Sequence, residues 1–359
     1  MTYNCNYNTM IYLFILKITL IITLLSLLLY YYYYNKKHNF WDHQPVSRKY
    51  SKSGILSLTK TKVLNKTNFV FKSLLDIDNF TYFINENYID GYEYSNKVIK
   101  KILNNGKIYG LYTKDKLVGS ISSQLFSLHF LGKKLDIQYV DFLCVDKNHR
   151  NKNLAPVLIS NLVAKNFRNT TFLFKKDNKK LPFDHLCQFN YYMLDIKYQK
   201  TLDIPFSINH LLLDLENLSL AFERYNNFSS QFDITVTFNK QRFYEYFKSN
   251  DDNLFTYLVY EGSKYIGLYS FYIININFFG IKHKVAEIIL LMWDKDIFKY
   301  IVSKLKDLNI NYILISDLAD NKKIISKNNF IQGNKCFIQL YNYGTKSELS
   351  THQINLPLF

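Results

Sequence analysis

The pattern of hydrophobic and polar positions divides the 359-residue chain into one long apolar run and many shorter alternating segments. The run, Met10–Tyr34, carries a single charge, Lys17. About 20 apolar residues are enough for a helix to cross the hydrocarbon core of a bilayer. The pattern therefore predicts one transmembrane helix, with Tyr30–Tyr34 forming an aromatic belt at the membrane interface.

The charges around this run predict its orientation. No Lys or Arg precedes it, whereas Lys36, Lys37, Arg48 and Lys49 follow closely. Positive charge favours the cytosolic side, so we expect a single-pass membrane protein whose large C-terminal part faces the cytosol. A cleaved signal peptide is the rival interpretation. It is disfavoured because the run is long, lacks a basic leader and has no small-residue cleavage site.

A strand, a basic turn and a helix follow one another in the middle of the chain. Ile137–Val145 reads as an apolar strand, and Leu154–Val163 as a helix with Pro156 in its first turn. The start of a helix offers unpaired backbone N–H groups and a positive dipole end. The turn adds three cations, Lys147, Arg150 and Lys152. The segment therefore predicts a cradle that binds an anion. Without support from other parts of the sequence, an ordinary basic turn after a buried strand would be the alternative.

An internal repeat with an offset of 148 residues is visible. Tyr112–Ser122 aligns with Tyr260–Ser270, and in both copies a third apolar strand and a helix follow. The third strands are Ile137–Val145 and Val285–Trp293, and the helices are Leu154–Lys165 and Ile297–Leu308. Only the first copy has the basic turn, because the second runs almost directly from strand to helix. We therefore predict two α/β halves, of which only the first binds an anion.

The composition and net charge limit the classes of binding partner that we expect. The formal charge of +16 fits a polyanion such as nucleic acid, an acidic membrane surface or a nucleotide-bearing cofactor, and compositional drift toward Lys and Asn is the alternative. No basic run with interleaved aromatic residues indicates a nucleic-acid module, so we expect no nucleic-acid partner. The four cysteines have no metal-binding or disulfide spacing, so neither a metal nor a disulfide framework is expected: Cys5, Cys144, Cys187 and Cys336.

Two motifs carry a family resemblance. Phe40–Val46 reads Phe-Trp-Asp-His-Gln-Pro-Val, and Asp141–Val145 reads Asp-Phe-Leu-Cys-Val ahead of the basic turn. The pair resembles the two best signatures of N-myristoyltransferases, Phe-Trp-Asp-Thr-Gln-Pro-Val and Asn-Phe-Leu-Cys-Val. Asn85–Tyr88 and Leu340–Tyr343 also resemble family segments, in the expected order. The resemblance covers residues 38–359.

The resemblance implies a fold and a domain organisation. We expect an α/β (α+β) fold of two tandem acetyltransferase-like halves with pseudo-twofold symmetry, preceded by the single transmembrane helix. The expected domains are an anchor at 1–35, an acyl-CoA-binding half at 36–205 and a peptide-binding half at 206–359.

It also implies an activity, glycylpeptide N-tetradecanoyl transfer. A monomeric enzyme would move myristate from myristoyl-CoA, its co-substrate, to the N-terminal glycine amine of proteins, without a metal and without an acyl-cysteine intermediate. Two alternatives remain open. One is an inactive or altered acyl-CoA-binding membrane protein on the same scaffold, and the other is an acyltransferase of different acyl or amine specificity.

Site residues carry over from the resemblance position by position. The backbone N–H groups of Phe142 and Leu143 would form the oxyanion hole, and the main-chain carboxylate of Phe359 would be the base. Asp141, where the family usually has Asn, could assist or compete. The expected cofactor contacts are Asn39, Phe40, Trp41, Phe142, Leu143, Cys144, Val145, Arg150, Asn151, Lys152, Asn153, Leu154 and Ala155. The expected peptide contacts are Tyr88, Asp90, Glu93 and Tyr94.

The chain also departs from the family. Asn151 and Asn153 stand where Ser and Arg are usual, which removes one cation from the cradle. Lys175–Asn178 replaces a Tyr-Thr-Ala-Gly segment, and Tyr191 stands where a His is expected. The cofactor half therefore resembles the family more closely than the peptide half does.

Overall fold

The computed structural model describes residues 4–34, 40–49, 51–58, 63–88, 91–103, 106–166, 170–199, 204–249, 253–278 and 280–358. The chain divides into two units, residues 1–43 and 44–359.

The first unit contains the apolar helix α1, Asn4–Tyr34. Its segment Ile11–Tyr31 is 21 residues long, has a mean hydropathy of 2.5 and is exposed throughout. By length and composition this helix can cross a membrane. A short 3₁₀ turn, Trp41–His43, ends the unit.

The second unit is a mixed α/β structure. Its helices are α2 (Ile77–Asn87), α3 (Asn96–Ile102), α4 (Leu154–Lys165), α5 (Leu218–Ser229), α6 (Lys240–Phe247), α7 (Phe298–Asp307) and α8 (Lys322–Ile325). Its strands are β1 (Gly54–Ile55), β2 (Val70–Ser73), β3 (Tyr92–Glu93), β4 (Lys107–Thr113), β5 (Lys116–Phe130), β6 (Lys133–Val145), β7 (Thr171–Asp177), β8 (Cys187–Asp195), β9 (Ile208–Leu212), β10 (Ile234–Thr237), β11 (Leu254–Glu261), β12 (Lys264–Phe278), β13 (Ile281–Trp293), β14 (Tyr312–Ser316), β15 (Ile331–Tyr341), β16 (Tyr343–Gly344) and β17 (Ile354–Asn355).

The predicted internal repeat is confirmed in the strand registers. In the first copy Gly119 on β5 pairs with Val145 on β6, and in the second Gly267 on β12 pairs with Trp293 on β13. Both pairs differ by the same offset of 148 residues. The fourth strand runs parallel to the third in both copies, as β6 beside β7 and β13 beside β14. Each copy is therefore three antiparallel strands, a helix and a parallel strand.

The two copies exchange strands at the centre of the sheet. The order there is β5-β6-β7-β15-β8-β14-β13-β12, which reads symmetrically about the β15–β8 pair. The strand that follows β7 in the chain, β8, pairs with β14 of the second copy, and β15 returns to pair with β7 of the first. The copies thus share one continuous sheet. The domain boundaries at 35/36 and 205/206 stay a prediction.

The helix after the third strand differs between the copies, as expected. The α4 helix begins at Leu154, whose repeat equivalent is Val302, but α7 already begins at Phe298. The first copy therefore has a longer loop between strand and helix, and this loop is the basic turn.

Gly119 and Gly267 are repeat equivalents that differ in the space around them. A Cβ at Gly267 would lie 2.8 Å from the Met292 carbonyl oxygen, whereas one at Gly119 would lie 3.4 Å from that of Cys144. We expect Gly267→Ala to lower the free energy of unfolding by about 1–3 kcal/mol, because backbone must move, and Gly119→Ala to cost less. Urea unfolding of the two full-length variants in detergent tests this. Equal costs would contradict it.

Candidate functional site

A bulge interrupts β6 at the predicted oxyanion-hole residues. Ser120 of β5 pairs with Cys144 and Ser122 with Asp141, so Phe142 and Leu143 lie together opposite a single residue of β5. Phe142 has a φ of 49°, in the left-handed region that non-glycine residues seldom adopt. Such a bulge bends a strand and re-aims its backbone groups. The second copy has a bulge too, but no residue of Ile281–Trp293, which is described throughout, has a positive φ.

Packing explains why Phe142 keeps this conformation. Its ring is buried against three aromatic rings, with centroid distances of 5.7 Å to Phe80, 5.5 Å to Tyr88 and 5.8 Å to Tyr94. Such contacts contribute about 0.5–1.5 kcal/mol each beyond area burial, enough together to offset the backbone strain. Two of the predicted peptide contacts, Tyr88 and Tyr94, are therefore brought together with Phe142.

The hydroxyl groups of β5 bind the carbonyl groups at the bulge. Ser120 Oγ donates to the Phe142 carbonyl at 3.1 Å, and Ser122 Oγ donates to the Asp141 carbonyl at 3.0 Å. Buried backbone acceptors need such partners. Both serines are buried, so these contacts fix the bulge from the side of the core.

The side chain of Asp141 accepts a hydrogen bond from one of the two backbone N–H groups that are predicted to form the oxyanion hole. Its Oδ1 accepts a hydrogen bond from the Phe142 backbone N–H at 2.7 Å and another from the Tyr88 hydroxyl at 3.1 Å. Desolvation raises the pKa of Asp141, while the Lys175 ammonium and these two hydrogen bonds oppose the rise. In this state the Phe142 N–H is directed at a carboxylate.

The basic turn adopts a conformation that explains its two asparagines. Asn151 and Asn153 have φ angles of 63° and 55°, and Asn is among the few non-glycine residues that tolerate the left-handed region. Asn153 caps α4 without a side-chain hydrogen bond to the helix. The side chains of Arg150, Lys152 and both asparagines are exposed.

Two residues that the sequence analysis missed adjoin this turn. Asn87, at the end of α2, accepts a hydrogen bond from Arg150 Nη2 at 2.7 Å through its carbonyl, and its side-chain oxygen accepts one from the Lys147 N–H at 3.0 Å. Lys66 donates to the carbonyl of Lys152 and brings a further cation to the turn. No local pattern identifies Lys66, because it lies 86 residues from its partner.

The remaining predicted residues are distributed unevenly. Phe40 and Trp41 belong to the first unit, and their ring centroids are 4.9 Å apart. Glu93 forms an ion pair with Lys282. Leu154 is buried at the start of α4 and Ala155 follows it. Asn39, Asp90 and Phe359 lie outside the described residues.

The cysteines are poor nucleophiles. Burial raises the pKa of the Cys144 thiol to about 12 and that of the Cys187 thiol to about 12. The thiolate is the reactive form, so neither side chain is activated at neutral pH. Cys144, Cys187 and Cys336 are free and buried. Within the described ranges no group of three or more His, Cys, Asp or Glu side chains could hold a metal ion.

A second polar group lies where the two copies exchange strands, and the sequence did not predict it. Lys175 on β7, Tyr191 on β8 and Glu287 on β13 line a cavity of about 30 Å³ together with Leu356 and Leu358. Glu287 is 8% exposed, and its Oε2 accepts a hydrogen bond from the Tyr272 hydroxyl at 2.5 Å.

The charges of this group are coupled. Burial raises the pKa of Glu287, and the Lys175 ammonium with the hydroxyls of Tyr272 and Tyr191 opposes the rise. Burial alone would lower the pKa of Lys175, but Tyr191, Asp141 and Glu287 raise it overall. Lys175 therefore stays charged, facing two carboxylates from different copies.

Comparisons with known proteins agree with this architecture. The family model for the N-terminal domain of myristoyl-CoA:protein N-myristoyltransferase matches residues 71–172, which include the bulge and the basic turn. A provisionally named glycylpeptide N-tetradecanoyltransferase of Amsacta moorei entomopoxvirus is 29% identical over 219 residues, or 58% of this chain and 68% of the relative. The Candida glabrata glycylpeptide N-tetradecanoyltransferase is 27% identical over 190 residues, 44% of this chain and 42% of the relative.

Solved structures show the same fold. Saccharomyces cerevisiae N-myristoyltransferase with bound myristoyl-CoA superposes with a TM-score of 0.74 at 21% identity, covering 88% of this chain and 90% of the yeast chain. The predicted fold class, a mixed α/β structure with an apolar helix at its N-terminal end, is confirmed.

Proposed function

Because the chain belongs to the N-myristoyltransferase family, we propose that it transfers the myristoyl group of myristoyl-CoA to the N-terminal glycine amine of acceptor proteins. One observation carries the proposal: the first copy alone combines a left-handed bulge in its third strand with a basic turn at a helix N-terminus. The bulge offers backbone donors to the thioester carbonyl, and the turn offers cations to the phosphates of coenzyme A.

The basic turn fits the pyrophosphate of coenzyme A. Arg150, Lys152, Lys147 and Lys66 supply cations, and the first N–H groups of α4 add donors and the positive end of a helix dipole. The left-handed Asn151 and Asn153 shape the loop so that its backbone leads into the helix. These residues would hold the co-substrate.

The bulge fits the chemistry of direct acyl transfer. The amine nitrogen attacks the thioester carbon, negative charge collects on the carbonyl oxygen, and the C–S bond then breaks to release the CoA thiolate. Backbone N–H groups of Phe142 and Leu143 are the proposed donors to that oxygen, and losing one such donor typically costs about 3–4 kcal/mol of transition-state stabilisation.

A base must take the proton that the amine loses. The main-chain carboxylate of Phe359 remains the proposed base, supported by Leu356 and Leu358, which line the same cavity as Lys175 and Glu287. For Asp141 we favour competition over assistance. Its carboxylate accepts the Phe142 N–H that the oxyanion needs, and it places a negative charge beside the developing one.

Asp141→Asn tests the competing role. Two unit charges about 4 Å apart at an effective dielectric constant of about 20 repel by about 4 kcal/mol, part of which Lys175 offsets. We expect the single-turnover rate of peptide acylation to rise about tenfold, measured by rapid quench. Asp136→Asn, on the exposed part of the same strand, is the matched control and should leave the rate unchanged. A fall of about 100-fold would make Asp141 the base instead.

The activity itself is tested with the full chain in detergent, myristoyl-CoA and a peptide that begins with glycine. Mass spectrometry should find one myristoyl group on the N-terminal amine, and none on the same peptide beginning with alanine or with an acetylated amine. Competition among acyl-CoA lengths then reports the acyl preference. Binding of myristoyl-CoA without any acylated peptide would leave an acyl-CoA-binding protein as the function.

We also propose that α1 anchors a monomeric enzyme in a membrane, with residues 44–359 facing the cytosol. The 21-residue apolar segment and the cations that follow it support this orientation. The full chain should resist carbonate extraction from membranes, and removing residues 1–36 should release a protein that still binds acyl-CoA. Extraction of the full chain, or a chain shortened at its N-terminal end, would contradict the anchor.

A further inference from the structure

The cavity at the strand exchange breaks the symmetry of the repeat. Glu287 on β13 is the repeat equivalent of Tyr139 on β6. Lys175 on β7 matches Ser316 on β14, because each of these two residues lies four positions beyond the first paired residue of its parallel strand. The Lys175 ammonium of the first copy and the Glu287 carboxylate of the second copy thus meet at this cavity. The residues at the equivalent positions are a small hydroxyl residue, Ser316, in the second copy and an aromatic residue, Tyr139, in the first.

The charges in and beside this cavity do not balance. Lys175 and Asp141 directly follow Phe174 and Val140, the last paired residues of two parallel strands, so they are neighbours on adjacent strands. Lys175 also faces Glu287 across the cavity. One ammonium therefore serves two carboxyl groups, and ionising both in a buried site without a second cation is costly. A second cation would lower this cost.

The cavity can take a small cation. Its volume of about 30 Å³ exceeds what a single water molecule needs, so a primary ammonium fits among the residues that form its wall, which include Leu173, Phe189 and Ile338.

We propose that Glu287 is the counter-ion for the N-terminal ammonium of the acceptor, which enters this cavity next to Lys175. The inference rests on the proposed function and names the residue that recognises the free amine. Glu287 thereby selects a chain with a charged, unmodified amino terminus. Lys175 is a positioning residue, because it holds the Glu287 and Asp141 carboxylates on either side of the strand exchange.

The test measures binding and not turnover. The full chain in detergent is first saturated with a non-cleavable myristoyl-CoA analogue. The affinity of a peptide that begins with glycine is then compared with that of the same peptide in which an acetyl group replaces the glycine, so that only the amine is missing. A charge-assisted contact predicts a preference for the amine of about 10- to 100-fold.

Glu287→Gln should reduce this preference to about twofold or less while leaving the affinity of the acetyl peptide unchanged. The matched control is Glu261→Gln, since Glu261 also pairs with a lysine, Lys295, at 2.7 Å, but lies at the end of β11 with a partly exposed side chain. The control should keep the full preference. An unchanged preference in a Glu287→Gln protein that still binds the acyl-CoA analogue would overturn the proposal.

A second measurement decides the matter if Glu287→Gln fails to fold. The wild-type protein alone should already prefer the peptide with the free amine, and a wild-type protein that binds both peptides equally would overturn the proposal. Failure of the proposed function shows separately, as wild-type protein that does not acylate the glycine peptide.

Discussion

The left-handed conformation of Phe142 fixes the geometry of the candidate site. It sets two consecutive residues of β6 against one residue of β5 and so turns backbone groups out of the ladder. The aromatic rings of Phe80, Tyr88 and Tyr94 hold it, which places the end of α2 and the segment around β3 beside the strand. The same α2 end binds Arg150 through Asn87, so one helix connects the bulge to the basic turn.

Strand exchange supplies the second half of the site. Because β8 and β15 cross between the copies, strands from both copies reach one cavity, and neither copy alone contains Lys175 and Glu287 together. In the proposed function, this arrangement gives a physical reason for two copies of which only one would bind the acyl donor. The first copy would present the thioester, and the junction would present the charges that meet the acceptor.

Much of this architecture follows from the sequence. The 148-residue offset predicted the repeat, and the apolar strand before Arg150 predicted the turn and the start of α4, because both are local patterns of periodicity and charge. The contact of Asp141 with the Phe142 N–H could not be predicted, since it depends on a backbone angle within one strand. The contacts of three further residues could not be predicted either, because their partners lie on strands and loops far away in sequence: Lys175, Glu287 and Lys66.

In the proposed function, the amides of the bulge polarise the thioester of the acyl donor. Isotope-edited infrared spectroscopy of myristoyl-CoA labelled with ¹³C at its carbonyl carbon measures this polarisation directly in the bound state. We expect the carbonyl band to move to lower frequency on binding, and to move further in Asp141→Asn, where the Phe142 N–H no longer faces a carboxylate. A band that stays at its frequency in water in both proteins would contradict it.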